Sequence, residues 1–164
     1  MLSYFIAAED AGADVIFNVC STVGEVVDIA RQIINIPIVK IDESMAEEAV
    51  SRGKKIGVVA TLESTLGPTC RLIEKKASVS GKKISIVRTI CPGAYDALDS
   101  GYMEKHDQIV MKNVNNIAEK VDIVVFAQFT MARLIDKIEI GLSKKILTSA
   151  ELGVMQVRKI LGLS

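Results

Sequence analysis

The first residues whose side chains could take part in a reaction are Cys20, Ser21 and Thr22, which follow an apolar run and precede a helical pattern. A cysteine between a strand end and a helix start lies in the positive field of the helix, which favours the thiolate. A thiolate acts as a base or a nucleophile, and the neighbouring hydroxyls and amides suit a carboxylate. The alternative interpretation is a small buried side chain that only packs.

A second polar loop, residues 61–69, follows another apolar run and contains Thr61, Ser64 and Thr65. Its hydroxyls and amides also suit a carboxylate or a phosphate, although Ser64 or Thr65 could simply cap a helix. The loop lacks the lysine and the glycine spacing of a P-loop, and no G-x-G-x-x-G follows any strand. The motifs therefore disfavour nucleotide binding.

The remaining cysteines and the one histidine have weaker signals. Cys91 follows a predicted strand and is a possible site residue, whereas Cys70 lies in the apolar stripe of a helix and is expected to pack in the core. His106 is surrounded by charged residues and is expected at the surface. Three cysteines with a single histidine favour neither a disulfide framework nor a zinc site, so we expect no metal.

Apolar runs and helical patterns alternate along the chain. The runs are rich in β-branched residues and predict parallel strands buried on both faces, which the intervening helices would connect as βαβ units. Strands are predicted at 14–19, 36–39, 55–60, 84–87, 122–127 and, more weakly, 145–147. Helices are predicted at 23–34, 45–52, 66–76, 103–120, 131–138 and 152–161. The expected fold class is α/β with doubly wound parallel sheets.

Two further patterns concern the organisation of these elements. Thr22 with Glu25, Ser44 with Glu47, and Thr148 with Glu151 match the capping box of helix N-termini. Residues 14–25 also align without gaps on residues 122–133, and the alignment places Cys20 opposite Gln128. This weak repeat predicts two related lobes.

The lobes are expected to be unequal. Two predicted strands precede the second repeat unit, but only thirteen residues precede the first. We therefore expect an incomplete first lobe that lacks its N-terminal strands, formed by residues 1–53 and 150–164, and a second lobe formed by residues 54–149. An incomplete lobe would bury little apolar surface by itself.

The composition excludes several classes of function. The 164 residues include 20 Lys and Arg against 20 Asp and Glu, and 49% are apolar. Balanced charge without a basic block predicts no nucleic-acid partner and no membrane-surface partner. No apolar run is long enough for a membrane span and no signal peptide is evident, so we expect a cytoplasmic globular protein.

Several segments together resemble the aspartate/glutamate/hydantoin racemase superfamily. The resemblance extends over nearly the whole chain, and its segments are CSTVGE at 20–25, IDESMAEEA at 41–49, GVVAT at 57–61, CPGAY at 91–95, EKHD at 104–107, AQFTMARL at 127–134 and ELG at 151–153. It implies two pseudo-symmetric α/β lobes with the site between them, a C-terminal helix that returns to the first lobe, no cofactor and a homodimer. In active racemases, two cysteines flank the substrate α-carbon because inversion needs an acid and a base on opposite faces.

The resemblance also implies roles for individual residues. Cys20 resembles the catalytic cysteine of the first lobe, and Gln128 occupies the place of the second. The implied substrate-binding residues are Ser21, Thr22, Thr61, Ser64, Thr65, Gln128 and Thr130. An amide is neither a useful acid nor a useful base near neutral pH, so two-thiol racemisation is not expected, and Cys91 is the only other sulfur that could contribute.

Three hypotheses follow. The first is a racemase-like enzyme that acts on a small carboxylate or amino-acid-like substrate, with Cys20 alone transferring a proton at the α-carbon. The second is a carboxylate-binding or regulatory protein without catalysis, and the third is an inactive fragment of such an enzyme. The substrate and the reaction outcome stay open, because one scaffold supports different functions.

Overall fold

The computed structural model describes residues 1–163. The strands are β1 (Ile16–Asn18), β2 (Ile38–Lys40), β3 (Lys55–Ala60), β4 (Ser85–Ile90), β5 (Ile123–Phe126) and β6 (Ile146–Leu147). The helices are α1 (Leu2–Asp10), α2 (Gly24–Ala30), α3 (Glu43–Arg52), α4 (Glu63–Val79), α5 (Ala94–Asp99), α6 (Met103–Ala118), α7 (Ile140–Ser143) and α8 (Ser149–Ile160), with 3-10 segments at Ser21–Val23 and Phe129–Lys137. The predicted α/β class is confirmed.

The larger sheet has four parallel strands in the order β4-β3-β5-β6. Successive side chains of a strand point to opposite faces, and both faces of this sheet are covered. Val58 and Val125 join the core cluster with α3 and α4, whereas Val59 and Val124 join the cluster with α6. The continuous apolar runs of β3 and β5 are thus explained by burial on both sides.

The smaller sheet pairs only β1 and β2, also in parallel, with Ile16 beside Ile38. Its core is a separate cluster that includes Phe5 from α1 and Val27 and Ala30 from α2. The two sheets give the chain two lobes of unequal size. Helix α3, placed by the sequence in the first lobe, packs in the core of the larger sheet, and the exact lobe boundary at residue 53 stays a prediction.

Ion pairs join the smaller lobe to α3 and α4 of the larger lobe, and a further pair links α3 to α4. Lys75 pairs with Asp28 at 2.8 Å, and Lys76 pairs with Glu43 at 2.8 Å. Glu43 also pairs with Arg31 at 2.7 Å. Burial raises the pKa of Glu43, but the hydrogen bonds from Arg31 and Lys76 outweigh it and leave this pKa at about 2.

The three predicted capping boxes do not form. Ser44 lies inside α3, Thr22 lies inside a 3-10 segment, and Thr148 precedes α8 without a side-chain capping hydrogen bond. Thr22 instead donates to the carbonyl of Ser64 across the lobes, at 3.3 Å. The Thr22 hydroxyl therefore makes a tertiary hydrogen bond, and the local capping bond that the motif predicts is absent within the described part of the chain.

Several element boundaries also differ from the sequence prediction. The helix expected at 23–34 ends at Ala30, and the segment expected as a helix at 131–138 is a 3-10 segment from Phe129 to Lys137. The short helices α1, α5 and α7 were not predicted. Within residues 1–163, every helix is too short or too polar to cross a lipid bilayer.

Candidate active site

A cleft of about 210 Å³ opens where β1 and β5 end. The carboxyl ends of parallel strands are the usual place for ligands in α/β folds, because loops and helix starts converge there. The cleft is lined by Val19, Cys20, Ser21, Thr22, Thr65, Ala127, Gln128, Phe129 and Thr130. The structure therefore brings together six of the residues singled out from the sequence, from segments about 45 to 110 positions apart.

Cys20 is exposed and follows β1 by two residues. Its backbone is extended, and its carbonyl accepts a hydrogen bond from the side-chain amide of buried Asn18 at 3.1 Å. The main chain then enters the 3-10 segment that begins at Ser21. Asn18, which the sequence analysis missed, therefore fixes the backbone that presents the thiol.

Asp42 is a second residue that the sequence analysis missed. Only 3% of its surface is exposed. Burial raises the pKa of Asp42 by more than the hydrogen bond with Ser21 lowers it, so this pKa lies above its ordinary value. Asp42 and Ser21 also line an adjoining cavity of about 150 Å³ together with buried Lys40. A polar residue two positions after the short β2 run was the available signal.

Gln128 is locked to Thr61 by two hydrogen bonds. The backbone N–H of Thr61 donates to Oε1 of Gln128 at 3.1 Å, and Nε2 of Gln128 donates to the Thr61 hydroxyl at 2.8 Å. Both ends of the amide are therefore engaged. Thr61 reaches the cleft through this contact, and Ser64 reaches it through the carbonyl that accepts from Thr22.

The other two cysteines lie away from the cleft. Cys70 belongs to α4 and is fully buried in the core cluster with α3 and the larger sheet, which confirms its predicted core position. Cys91 is also fully buried, in the cluster on the opposite face, and burial raises its pKa to about 11. The structure therefore does not bring Cys91 to Cys20, because its sulfur is enclosed by aliphatic neighbours.

His106 is buried, with 1% of its surface exposed, so its predicted surface position is wrong. Its Nδ1 lies 2.9 Å from Oδ1 of Asp107 and 3.1 Å from Nη2 of Arg133. Asp107 also pairs with Arg133 and with Lys137 at 2.7 Å. His106 and Asp107 are thus partners of Arg133 and Lys137 in a network that holds the Phe129–Lys137 segment against α6.

The same network governs the charge of Asp107. Burial raises the pKa of Asp107, but hydrogen bonds from Arg133, Lys137 and His106 outweigh it and lower this pKa well below its usual range. The carboxylate stays ionised at neutral pH as a result. Within residues 1–163, no three His, Cys, Asp or Glu side chains converge as a metal site would require.

Comparison with known proteins agrees with this architecture. Residues 1–157 match the family model described as Asp/Glu/Hydantoin racemase. An allantoin racemase from Klebsiella pneumoniae superposes with a TM-score of 0.72 at 18% identity, over 99% of this chain and 66% of the other. Glutamate racemase RacE1 from Bacillus anthracis gives 0.73 at 17% identity, over 98% and 63%. An aspartate racemase homologue from Pyrococcus horikoshii OT3 gives 0.70 at 20% identity, over 98% and 72%.

These likenesses differ in what they establish. The solved structures are too distant in sequence to show more than the fold, and the chain spans slightly less than two thirds of the length of the first two. Among curated proteins, the sequence has no significant match. The family model covers nearly all of the chain, and it sets the assignment: the chain belongs to the Asp/Glu/hydantoin racemase family.

Proposed function

We propose that this protein acts on a small carboxylate or amino-acid-like substrate by cysteine-mediated proton transfer at the carbon next to the carboxylate. The observation that carries the proposal is the exposed thiol of Cys20 in a cleft lined by the hydroxyls of Ser21, Thr22, Thr65 and Thr130. Family membership supports the same class of chemistry. No cofactor enters the proposal.

The reaction proceeds by removal and return of one proton. The Cys20 thiolate takes the α-hydrogen, so that an S–H bond forms and the electron pair of the C–H bond passes into the carboxylate as an enediolate. Hydroxyl and backbone N–H donors around the cleft stabilise the charge that develops on the carboxylate oxygens. Protonation of the carbanion by the Cys20 thiol then regenerates the thiolate.

Gln128 limits the stereochemistry of this reaction. Inversion needs a proton donor on the opposite face, and the N–H protons of a carboxamide are not acidic enough to be transferred near neutral pH. The amide is also engaged at both ends with Thr61. We therefore propose chemistry on one face, such as α-proton exchange, isomerisation or decarboxylation followed by protonation, in place of two-thiol racemisation.

The proposal is tested by hydrogen exchange in heavy water. The protein is incubated with aspartate, glutamate and related acids of each configuration, and loss of the α-proton is followed by NMR. Exchange is expected for wild type on one enantiomer of its substrate and is expected to fall at least about 100-fold in Cys20→Ala. Thr148→Ala, which replaces a hydroxyl outside the cleft, serves as the control and should retain exchange.

A non-catalytic carboxylate-binding protein is the second candidate, and Gln128 is the observation that favours it. A locked amide in place of a second thiol would suit a pocket that recognises a carboxylate without turnover. Saturable binding with no exchange would support this candidate and refute the proton-transfer mechanism. Full exchange in Cys20→Ala would also refute that mechanism.

Two further properties belong to the same proposal. We propose a homodimer, because the family resemblance implies self-association, and we propose that it works in the cytoplasm, as the sequence analysis expects. Light scattering across a range of protein concentrations measures the oligomeric state. A monomer at all concentrations would contradict the expected dimer without affecting the test of Cys20.

A further inference from the structure

Pairs of lysines precede or begin three of the four strands in the larger sheet. They are Lys54 and Lys55 at β3, Lys82 and Lys83 before β4, and Lys144 and Lys145 before β6. All six side chains are exposed. Because the strands are parallel, all three pairs meet at the edge of the sheet where the strands start.

Main-chain contacts show how closely the strand starts approach one another. Ser85 donates to the carbonyl of Lys54 at 2.8 Å, and Asp122 donates to the carbonyl of Lys55 at 2.8 Å. Val124 donates to the carbonyl of Lys145 at 2.8 Å. The edge is separated from the Cys20 cleft by the length of β3, whose six residues span about 20 Å.

A cavity of about 520 Å³ lies at this edge, and we call it the strand-start pocket. The charged residues that line it are Arg52, Lys54, Lys82, Lys83 and Asp122. Its size is within the usual range of small-molecule sites. Four cations and one carboxylate give the pocket a net positive charge, although the whole chain is neutral.

The negative groups nearest this pocket are already engaged. Oδ2 of Asp122 accepts the backbone N–H groups of Lys54 and Lys55, both at 2.8 Å. Glu48 lies 3.8 Å from Arg52, and Nζ of Lys82 is held by the carbonyls of Val50 and Ser51 at 3.0 Å. Charge compensation within the pocket is therefore incomplete.

The pocket is distinct because, among the residues that the structure describes, lysines without a carboxylate partner line one cavity, whereas other lysines are either paired or lie outside the pocket. Lys40, Lys75, Lys76 and Lys137 each lie within 2.8 Å of an Asp or Glu oxygen. Across residues 1–163, no carboxylate forms an ion pair with Lys54, Lys82 or Lys83.

We propose that the strand-start pocket binds a small anion with linked phosphate groups, either an inorganic oligophosphate or the phosphate chain of a nucleotide. Lysine ammonium groups are suitable point-charge partners for phosphate oxygens, and several cations around one concave site favour several linked negative charges over one. The volume of the pocket suits a small ligand, whereas most of a long polyanion would lie outside it. This site is independent of the Cys20 cleft and of the reaction proposed there.

The proposal is tested by calorimetric titration of the full chain with inorganic triphosphate, without divalent cations, at 0.05 and 0.15 M NaCl. We expect one site per chain and at least about tenfold weaker binding of inorganic monophosphate. Lys54→Ala combined with Lys83→Ala should weaken triphosphate binding by at least about tenfold. The main-chain bonds of Lys54 are unaffected by this change.

The matched control is Lys105→Ala combined with Lys112→Ala, two exposed lysines of α6 outside the pocket. It removes the same charge and should bind triphosphate within about twofold of wild type. Equal weakening in both double variants would overturn the proposal, because binding would then depend on net charge alone. Absence of triphosphate binding to folded wild type would overturn it as well.

Two additional ligands distinguish the source of the phosphate groups. ATP that binds more tightly than triphosphate would support a nucleotide, and equal affinity would support the phosphate chain alone. A single-stranded DNA 20-mer that binds more tightly than both, with a steep salt dependence, would refute a small-ligand site and favour a nucleic-acid surface. Circular dichroism melting verifies that both double variants are folded.

Discussion

Gly153 of α8 is the position where an added methyl group should be most damaging. A Cβ built there would lie 2.8 Å from the carbonyl oxygen of Ile41 and 3.0 Å from its Cα. Both atoms belong to the main chain, which follows β2 directly, so no side-chain rotation can relieve the overlap. The helix or the strand end must move.

The free energy of unfolding lost in Gly153→Ala follows from two opposing contributions. Overpacking of a close-packed interior costs roughly 1–3 kcal/mol, and contact with rigid backbone places this case in the upper part of that range. Replacing glycine by alanine within a helix returns up to about 1 kcal/mol. The net loss is about 1–2 kcal/mol, which corresponds to a decrease in Tm of about 2–8 °C for a chain of this size.

Two other glycines provide graded controls. A Cβ at Gly57 would lie 2.7 Å from Cδ1 of Ile117, the movable end of a side chain, so Gly57→Ala should be less harmful than Gly153→Ala. Gly141 in α7 has no atom within 4 Å of the built Cβ, and Gly141→Ala should be neutral or up to about 1 kcal/mol more stable.

The assay is urea unfolding followed by circular dichroism, with thermal melts of the same four proteins. The expected order of stability is Gly141→Ala at or above wild type, then Gly57→Ala, then Gly153→Ala. If Gly153→Ala were as stable as Gly141→Ala, the close packing of α8 on the end of β2 would be wrong.

Two further predictions use the charges and the thiols. Glu43→Gln should lower stability by roughly 1–2 kcal/mol at pH 7, a figure reduced for partial exposure. The stability that Glu43 contributes is present above its ordinary pKa of 4.5 and is lost as pH falls towards about 2. The free energies of urea unfolding of wild type and variant should therefore converge on acidification. A difference that stays constant with pH would contradict the ion-pair explanation. Iodoacetamide should label Cys20 in the native protein, as followed by mass spectrometry. Labelling of Cys70 and Cys91 should be at least about 100-fold slower, because it requires opening of the core. Equal rates would show that the core positions are wrong.

The strands of the larger sheet could be predicted from the sequence because burial on both faces leaves an unambiguous pattern. The continuous apolar run of β3 is predicted at residues 55–60 and forms at Lys55–Ala60. Such a run arises because both faces of the strand are buried, so that apolar residues are favoured at nearly every position. The polar loops after these strands could be located for the same reason, since each begins where its strand ends.

Other features could not be predicted because their cause is non-local. His106 is preceded by Glu104 and Lys105, a pattern typical of a surface helix, yet Arg133 and Asp107 enclose it in a network formed across 27 positions. Thr22 matches a capping box but bonds to a carbonyl 42 residues away. Local propensity is a weak constraint wherever tertiary contacts compete with it.

The positive charge of the strand-start pocket could not be predicted for the same reason, because its lysines are far apart in the sequence. Lysine pairs separated by 27 and 61 positions form no basic block in the sequence, and only the parallel sheet brings them to one edge. The sequence-based exclusion of nucleic-acid and membrane-surface partners rested on charge balance and the lack of a basic block, which do not show where charges gather in the fold. Topology is therefore the missing information, because a parallel sheet assembles all strand starts on one side.

Gln128 connects the local structure of the cleft to the chemistry proposed for it. Its amide uses both its oxygen and its nitrogen to hold Thr61, so the loops after β3 and β5 are fixed to each other. A cysteine in the same place would supply a thiol but could not form this pair of bonds, because a thiol is a weak and single donor. Position 128 can therefore supply either a thiol or the two hydrogen bonds to Thr61, and in this chain it supplies the hydrogen bonds. The chemistry on a single face that we propose agrees with this arrangement, because the Gln128 carboxamide supplies no acidic proton for inversion.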